Sequence, residues 1–176
     1  MAGLPGTGKS TLALALAERS GAVVLDKDYL RTALFPAEWI EYSREQDDFV
    51  VRVMLKVAGW ILRREPRRMV VLDGRPFSKK YQLDHVIAFA NWIKAPWAVI
   101  ECTCSEETAR KRLQAGGHPA ADRNFELYQR VKAEFEPITA EKLLVDTDHP
   151  PSDVAEEMEQ YILQRRSSNP GSTAEL

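Results

Sequence analysis

The octapeptide Gly3-Leu4-Pro5-Gly6-Thr7-Gly8-Lys9-Ser10 satisfies the pattern G-x-x-x-x-G-K-[ST] at every position and runs directly into a Leu- and Ala-rich helical stretch, Ser10 to Arg19. The pattern has a mechanism. Glycines let backbone N–H groups wrap a β-phosphate, and the helix that follows adds the partial positive charge of its N-terminus. Lys9 reaches the β- and γ-phosphates and Ser10 offers an oxygen to Mg²⁺. Gly3 to Ser10, with Thr11, are the expected nucleotide contacts, and Lys9 is also a catalytic candidate. A loop of this kind hangs from the end of a buried β-strand, yet only Met1 and Ala2 precede it.

The rest of the chain alternates short apolar runs with helical patterns. Ala22 to Leu25, Met69 to Leu72, Trp97 to Cys102 and Leu143 to Val145 are continuous rather than alternating, the signature of strands buried on both faces of a parallel sheet. Ser43 with Gln46 forms a capping box opening a helix to about Arg64, and Tyr81 to Ile93 forms another. Ser105 caps a helix through Leu113, Asp122 is the expected cap of a helix from Phe125 to Phe135, and a last helix runs from Ser152 to about Arg166. This order predicts an α/β fold, a three-layer sandwich with a parallel sheet, whose ligands lie at the carboxyl ends of the strands. At 176 residues, 44% apolar and 28% charged, the chain suits a single soluble domain, here residues 1–166, with 167–176 as a disordered tail.

Chemistry-bearing residues cluster where the apolar runs end. Asp28 and Arg31 stand three apart after the first run: Asp28 is placed to accept the proton of an attacking hydroxyl, and Arg31 to hold substrate or the transferring phosphoryl group. An Asp-to-Arg pair that braces a helix is the alternative. Asp73 ends the next run and is the second catalytic carboxylate and a metal candidate with Ser10, against a plain Asp-Gly turn. Arg75, beside it, either meets an anionic acceptor or is a surface residue. Arg112 ends a helix before the Gln114 to Pro119 loop, where a lid at about 112–124 would carry a charge-neutralising arginine, and Arg123 beyond the loop is a second candidate. Both are equally readable as solvated side chains. Asp146-Thr147 either borders an adenine pocket or leads into a helix.

Composition excludes several classes. A net charge of −2 gives no global footprint for nucleic acid, and the cluster Arg63, Arg64, Arg67 and Arg68 reads as a solvated helix end. Cys102 and Cys104 are too few for a disulfide framework and read as reduced thiols. His85, His118 and His149 have no ligand spacing and are expected at the surface. No apolar stretch reaches the ~20 residues of a membrane span and no signal peptide is evident, so a cytoplasmic location is expected.

GLPGTGKST, the D-x-x-R of Asp28 and Arg31, LDGRPFSKKYQ, ECTCSEETARKRL and LLVDT together resemble, in order and spacing, the P-loop kinases of the polynucleotide kinase and zeta-toxin type, small proteins often labelled AAA family ATPases. The resemblance spans about Gly3 to Thr147. It implies strand order 2-3-1-4-5, Mg·ATP as donor, Asp28 as general base, Arg31 as an acceptor or phosphate contact and a lid after Arg112. Two departures stand out. The family's second lid arginine falls on Gln114 to Gly117 here, so Arg123 or Arg112 must substitute. The first strand, central in that order, should fill about five residues before Gly3, so it is missing or truncated, and the chain is expected to be a shortened version of a protein with an apolar strand upstream of Met1. The functional expectation is transfer of the γ-phosphate of ATP to a hydroxyl of a small molecule. Polynucleotide 5′-hydroxyl kinase and an ATP-binding module with little transferase activity are the alternatives.

Overall fold

The computed structural model describes residues 1–115 and 124–168. In chain order the elements are α1 (Lys9–Ser20), β1 (Val23–Asp26), α2 (Lys27–Leu34), a 3₁₀ turn (Ala37–Trp39), α3 (Arg44–Arg64), β2 (Val70–Asp73), α4 (Lys80–Trp92), β3 (Ile100–Thr103), α5 (Glu106–Gln114), α6 (Phe125–Ala133), β4 (Leu143–Asp146) and α7 (Pro151–Ser168). The expected β-runs and helices thus fall where the apolar pattern puts them, with ends shifted by a few residues, while α2 and the 3₁₀ turn are additional elements. The third strand is shorter than expected: it begins at Ile100, although the Val99 carbonyl still accepts from Leu143 N at 2.9 Å. The cap of α6 is Asn124, whose side chain accepts from Leu127 N at 2.8 Å; the expected cap, Asp122, lies outside the described residues, as do residues 169–176 of the expected tail.

Half of the capping box at α3 forms. Ser43 Oγ accepts from Gln46 N at 3.2 Å, but the Gln46 amide turns to the lead-in segment, accepting from Glu41 N and donating to the Trp39 carbonyl, each at 2.9 Å. Removing the cap with Ser43→Ala is expected to lower stability by about 1 kcal/mol. In a chain of this size that is about 2–4 °C in thermal unfolding, and an unchanged Tm would show that the Gln46 clamp alone holds the helix start.

The strands form two parallel pairs, β1 with β2 and β3 with β4, in registers that align Asp26 with Asp73 and Thr103 with Asp146. Residues 1–3 lie between the pairs. Ala2 bridges β3 through Ala2 N to the Ile100 carbonyl (2.8 Å) and Cys102 N to the Ala2 carbonyl (2.9 Å), while the Met1 amine donates to the Leu72 carbonyl of β2 at 3.0 Å. The spatial order β1, β2, residues 1–3, β3, β4 is therefore the 2-3-1-4-5 arrangement, with its central strand reduced to one bridge.

Both faces of the sheet are covered, as continuous apolar strands require. On one face Leu12, Ala13 and Leu16 of α1 and Val154, Met158 and Ile162 of α7 pack on Val71, Ile100, Cys102 and Val145. On the other, Val50, Val51, Met54 and Leu55 of α3 pack against Leu25 and Leu72. Val71 and Leu72 face opposite ways because successive strand side chains alternate. The result is a three-layer α/β sandwich with every carboxyl strand end at one edge.

Candidate active site

At that edge the loop 3–8 folds on itself. Lys9 Nζ (2.7 Å), Thr7 Oγ1 (2.8 Å) and Thr7 N (3.3 Å) all donate to the Leu4 carbonyl. Gly8 caps α1 in the left-handed region (φ 77°) with no side-chain cap, which leaves the first-turn N–H groups of the helix directed at whatever anion enters. Gly3 is equally constrained: at φ 125° a Cβ would lie 2.2 Å from the Cys102 carbonyl oxygen of the neighbouring strand. Lys9 and Thr7 are buried. These are the features of a preformed phosphate cradle.

Thr147, after β4, locks the cradle from behind. Its Oγ1 lies 3.0 Å from the carbonyls of Thr7 and Thr103, and it accepts from Arg112 Nη1 at 2.9 Å while Arg112 Nη2 donates to its carbonyl at 2.7 Å. Arg112 therefore ties α5 to the end of β4 beside Gly8, away from the cleft described next. Arg123, with Gly116, Gly117 and His118, lies outside the described residues.

In front of the cradle opens a cleft of about 360 Å³, lined by Lys9 and Ser10 at one end, by α2, by the start of α3, by the segment after β2, and by α6. Asp28 and Arg31 lie in its wall, buried, with Arg31 Nη1 donating to Asp28 Oδ1 at 2.6 Å. The pair is part of a tetrad. Asp47, from the first turn of α3, accepts from Arg31 Nη2 and from Lys27 Nζ (2.7 Å), and Lys27 Nζ also lies 3.2 Å from Asp28. Two cations and two carboxylates balance, and Tyr42 stacks its ring 5.0 Å from the Arg31 guanidinium. The partner Asp47 is absent from the sequence expectation because an acid in the first turn of a helix reads as a partner of the helix dipole. Only the approach of α3 to α2 makes it a partner of Arg31.

Asp73 ends β2 almost fully buried, 1% exposed, and its Oδ1 has no hydrogen-bond partner. Arg75 is not a surface residue. It is 3% exposed, lines the cleft and donates from Nη2 to Asp48 Oδ1 at 2.5 Å, with Tyr81 Oη 3.2 Å from the other Asp48 oxygen. From α6 come Arg130 and Glu134, the latter paired with Arg44 at the start of α3. His85 and His149 are exposed. Cys102 and Cys104 are free thiols; burial pushes Cys102 up to about 11 and raises Cys104 as well, so both stay protonated near neutrality.

A family model described as an AAA domain, AAA_33, matches residues 1–138, the whole span from the cradle to the end of α6. The chain belongs to the AAA_33 family. Among curated proteins it is similar to the adenylate kinase of Campylobacter jejuni, 28% identical over 148 residues that cover 77% of this chain and 76% of the relative. Among solved structures it is similar to the Mycobacterium tuberculosis APS kinase CysC in complex with AMPPNP and APS, with a TM-score of 0.69 at 18% identity over 93% of this chain and 94% of that one. A gluconokinase from Sinorhizobium meliloti gives 0.68 at 19% identity over 94% and 91%. At such identities the structural likeness shows the fold, and the fold of this AAA_33 member is that of P-loop kinases. No helix among the described residues is long and apolar enough to cross a membrane.

Proposed function

We propose that the protein transfers the γ-phosphoryl group of Mg·ATP to a hydroxyl of a small molecule held in the cleft. The observation that carries this reading is the Asp28 carboxylate in the wall of the cleft that Lys9 and Ser10 enter, inside a charge-balanced tetrad. An acceptor that is already a phosphate needs cations to hold it and no base. An acceptor hydroxyl needs a base. Here Lys27 and Arg31 are matched by Asp28 and Asp47, so this wall offers a base and not a surplus of cation.

The roles then follow. The acceptor oxygen attacks the γ-phosphorus while its proton passes to Asp28, and the bond from the γ-phosphorus to the β–γ bridging oxygen breaks to leave ADP. Lys9 and the first-turn amides of α1 hold the phosphates as charge shifts toward the leaving oxygen. Ser10 and Asp73 fit a magnesium ion: a buried carboxylate oxygen without a donor is costly unless a cation or its water meets it, and magnesium in such sites draws on one or two protein oxygens plus substrate phosphates. That ion would neutralise phosphate charge. Arg112, through Thr147, steadies the cradle, and Arg123 remains the lid arginine of this proposal.

A nucleic-acid end as acceptor has less support. Arg63, Arg64, Arg67 and Arg68 are exposed, and Arg68 reaches the Gly21 carbonyl at the opposite edge of the sheet from the cleft, with Arg64 stacked 3.7 Å over Trp60. A mixed acceptor panel with γ-labelled ATP tests the proposal, with sugars, sugar acids, nucleosides, AMP and a 5′-hydroxyl oligonucleotide as arms. Label on a small-molecule hydroxyl is expected. Conversion of AMP to ADP would identify a phosphate acceptor instead, label on the oligonucleotide alone a polynucleotide kinase, and nucleotide binding with no labelled product a binding module.

A further inference from the structure

Arg31 Nε has no hydrogen-bond partner inside the neutral tetrad, and outside the tetrad and the Arg44–Glu134 pair two further guanidinium groups of the cleft keep unmet donors. Arg75 is buried in the wall with one Nη on Asp48, and its Nε has no hydrogen-bond partner. A buried N–H left unpaired is costly, and when it sits in the wall of a cleft a ligand atom is the natural partner. Arg130, one turn before Glu134 on α6, is exposed toward the same cleft and has no hydrogen bond or ion pair among the described residues.

The walls that carry these two arginines are stitched together. Glu136 N donates to the Ser78 carbonyl and Lys80 N to Glu136 Oε2, each at 2.8 Å, which holds the segment after α6 against the segment after β2. Ser78 and Gln82 add neutral hydrogen-bonding groups on the Arg75 side. Lys9 is committed to the phosphate end. Asp48 offsets the charge of Arg75, so Arg130 carries the positive charge left over in the cleft, and both arginines offer the planar donor set that pairs with the two oxygens of an oxyanion.

The geometry points to an oxyanion subsite formed by Arg75 and Arg130, so that the acceptor is a hydroxyl compound already carrying a phosphate or carboxylate group. The hydroxyl faces Asp28 and the anion meets the two arginines. The subsite stands on the cleft alone; that its occupant is the acceptor rests on the kinase proposal.

The two parts are tested separately. Protein saturated with AMPPNP and Mg²⁺, so that the cradle is filled, is titrated with inorganic phosphate and with acetate by calorimetry. One saturable anion site per chain is expected, weakened about tenfold or more by Arg130→Ala and by Arg75→Met. Arg130 is exposed, so its variant keeps the test valid if Arg75→Met fails to fold. No saturable site, or one that Arg130→Ala leaves unchanged, overturns the subsite. Acceptors are then compared in pairs in which an anion takes the place of one neutral hydroxyl or hydroxymethyl group: ribose with ribose 5-phosphate, glycerol with glycerate, a nucleoside with its 3′-monophosphate. The charged member is expected to win by about tenfold or more in kcat/KM, through KM, with the preference lost in Arg130→Ala. Phosphate and carboxylate pairs show which oxyanion is read. Equal use of neutral members overturns the acceptor assignment even if the anion binds, and a panel without any product overturns the kinase reading while the titration still decides the subsite.

Discussion

Asp28→Asn is expected to lower phosphoryl transfer by about 10²–10⁴-fold while ATP still binds with nearly unchanged affinity. The substitution keeps the size of the side chain and an oxygen for Arg31 Nη1, now 2.6 Å from Asp28 Oδ1, but removes the group that takes the proton of the attacking hydroxyl. The tetrad is left with two cations facing Asp47 alone, so some stability is lost as well. For that reason the decisive readout is kcat on folded, nucleotide-saturated protein, with calorimetric ATP binding and the unfolding midpoint measured on the same sample. A loss of less than about tenfold would remove Asp28 as base. The same variant separates acceptor types, because transfer to a phosphate oxygen needs no base.

Lys9→Ala is expected to reduce transfer by about 10²–10³-fold and to raise the KM for ATP. The Nζ bonds the Leu4 carbonyl at 2.7 Å within the cradle and is positioned to turn to the β- and γ-phosphates. Its charge matters most as negative charge builds on the leaving oxygen, so the larger part of the loss should fall on kcat. A variant with weak ATP binding and normal kcat at saturation would place Lys9 in binding only. Because Lys9 lies where the loop meets α1 and Thr7 also donates to the Leu4 carbonyl, the cradle keeps its shape without the amine, and the unfolding midpoint should change little.

The two predictions differ in how far the sequence alone supports them. Lys9 is legible because everything that gives it a role lies within one loop and one helix turn, and the spacing G-x-x-x-x-G-K-S carries the geometry with it. Asp28 and Arg31 are legible as a pair, since three residues on a helix bring them side by side. Their company is not. Asp47 reaches Arg31 from 16 positions away and Asp48 reaches Arg75 from 27, Asp47 from the first turn of α3 and Asp48 from the residue after it. Nothing local distinguishes these acids from ordinary helix-start acids. Arg130 was hidden for the same reason: on a helix rich in charge, FELYQRVKA, no periodicity says which cation faces the cleft.

The lone Ala2 bridge shows the division from the other side. A short N-terminal segment before the glycine loop was readable as a departure from the fold, but where its polar groups would find partners was not. Met1 and Ala2 donate backbone hydrogen bonds to one strand each, at the Leu72 and Ile100 carbonyls, 71 and 98 positions along the chain, because the sheet brings those two strands to either side of them.

The sequence by itself determined the phosphate cradle, the alternation of buried strands and helices, and the edge at which chemistry collects, because these follow from spacing and apolar periodicity within short windows. Only the tertiary structure decided which charges of that edge neutralise one another and which are left for a ligand. Ion pairing depends on distance in space and on burial, and the folded contacts of α2, α3, α6 and the end of β2 set both.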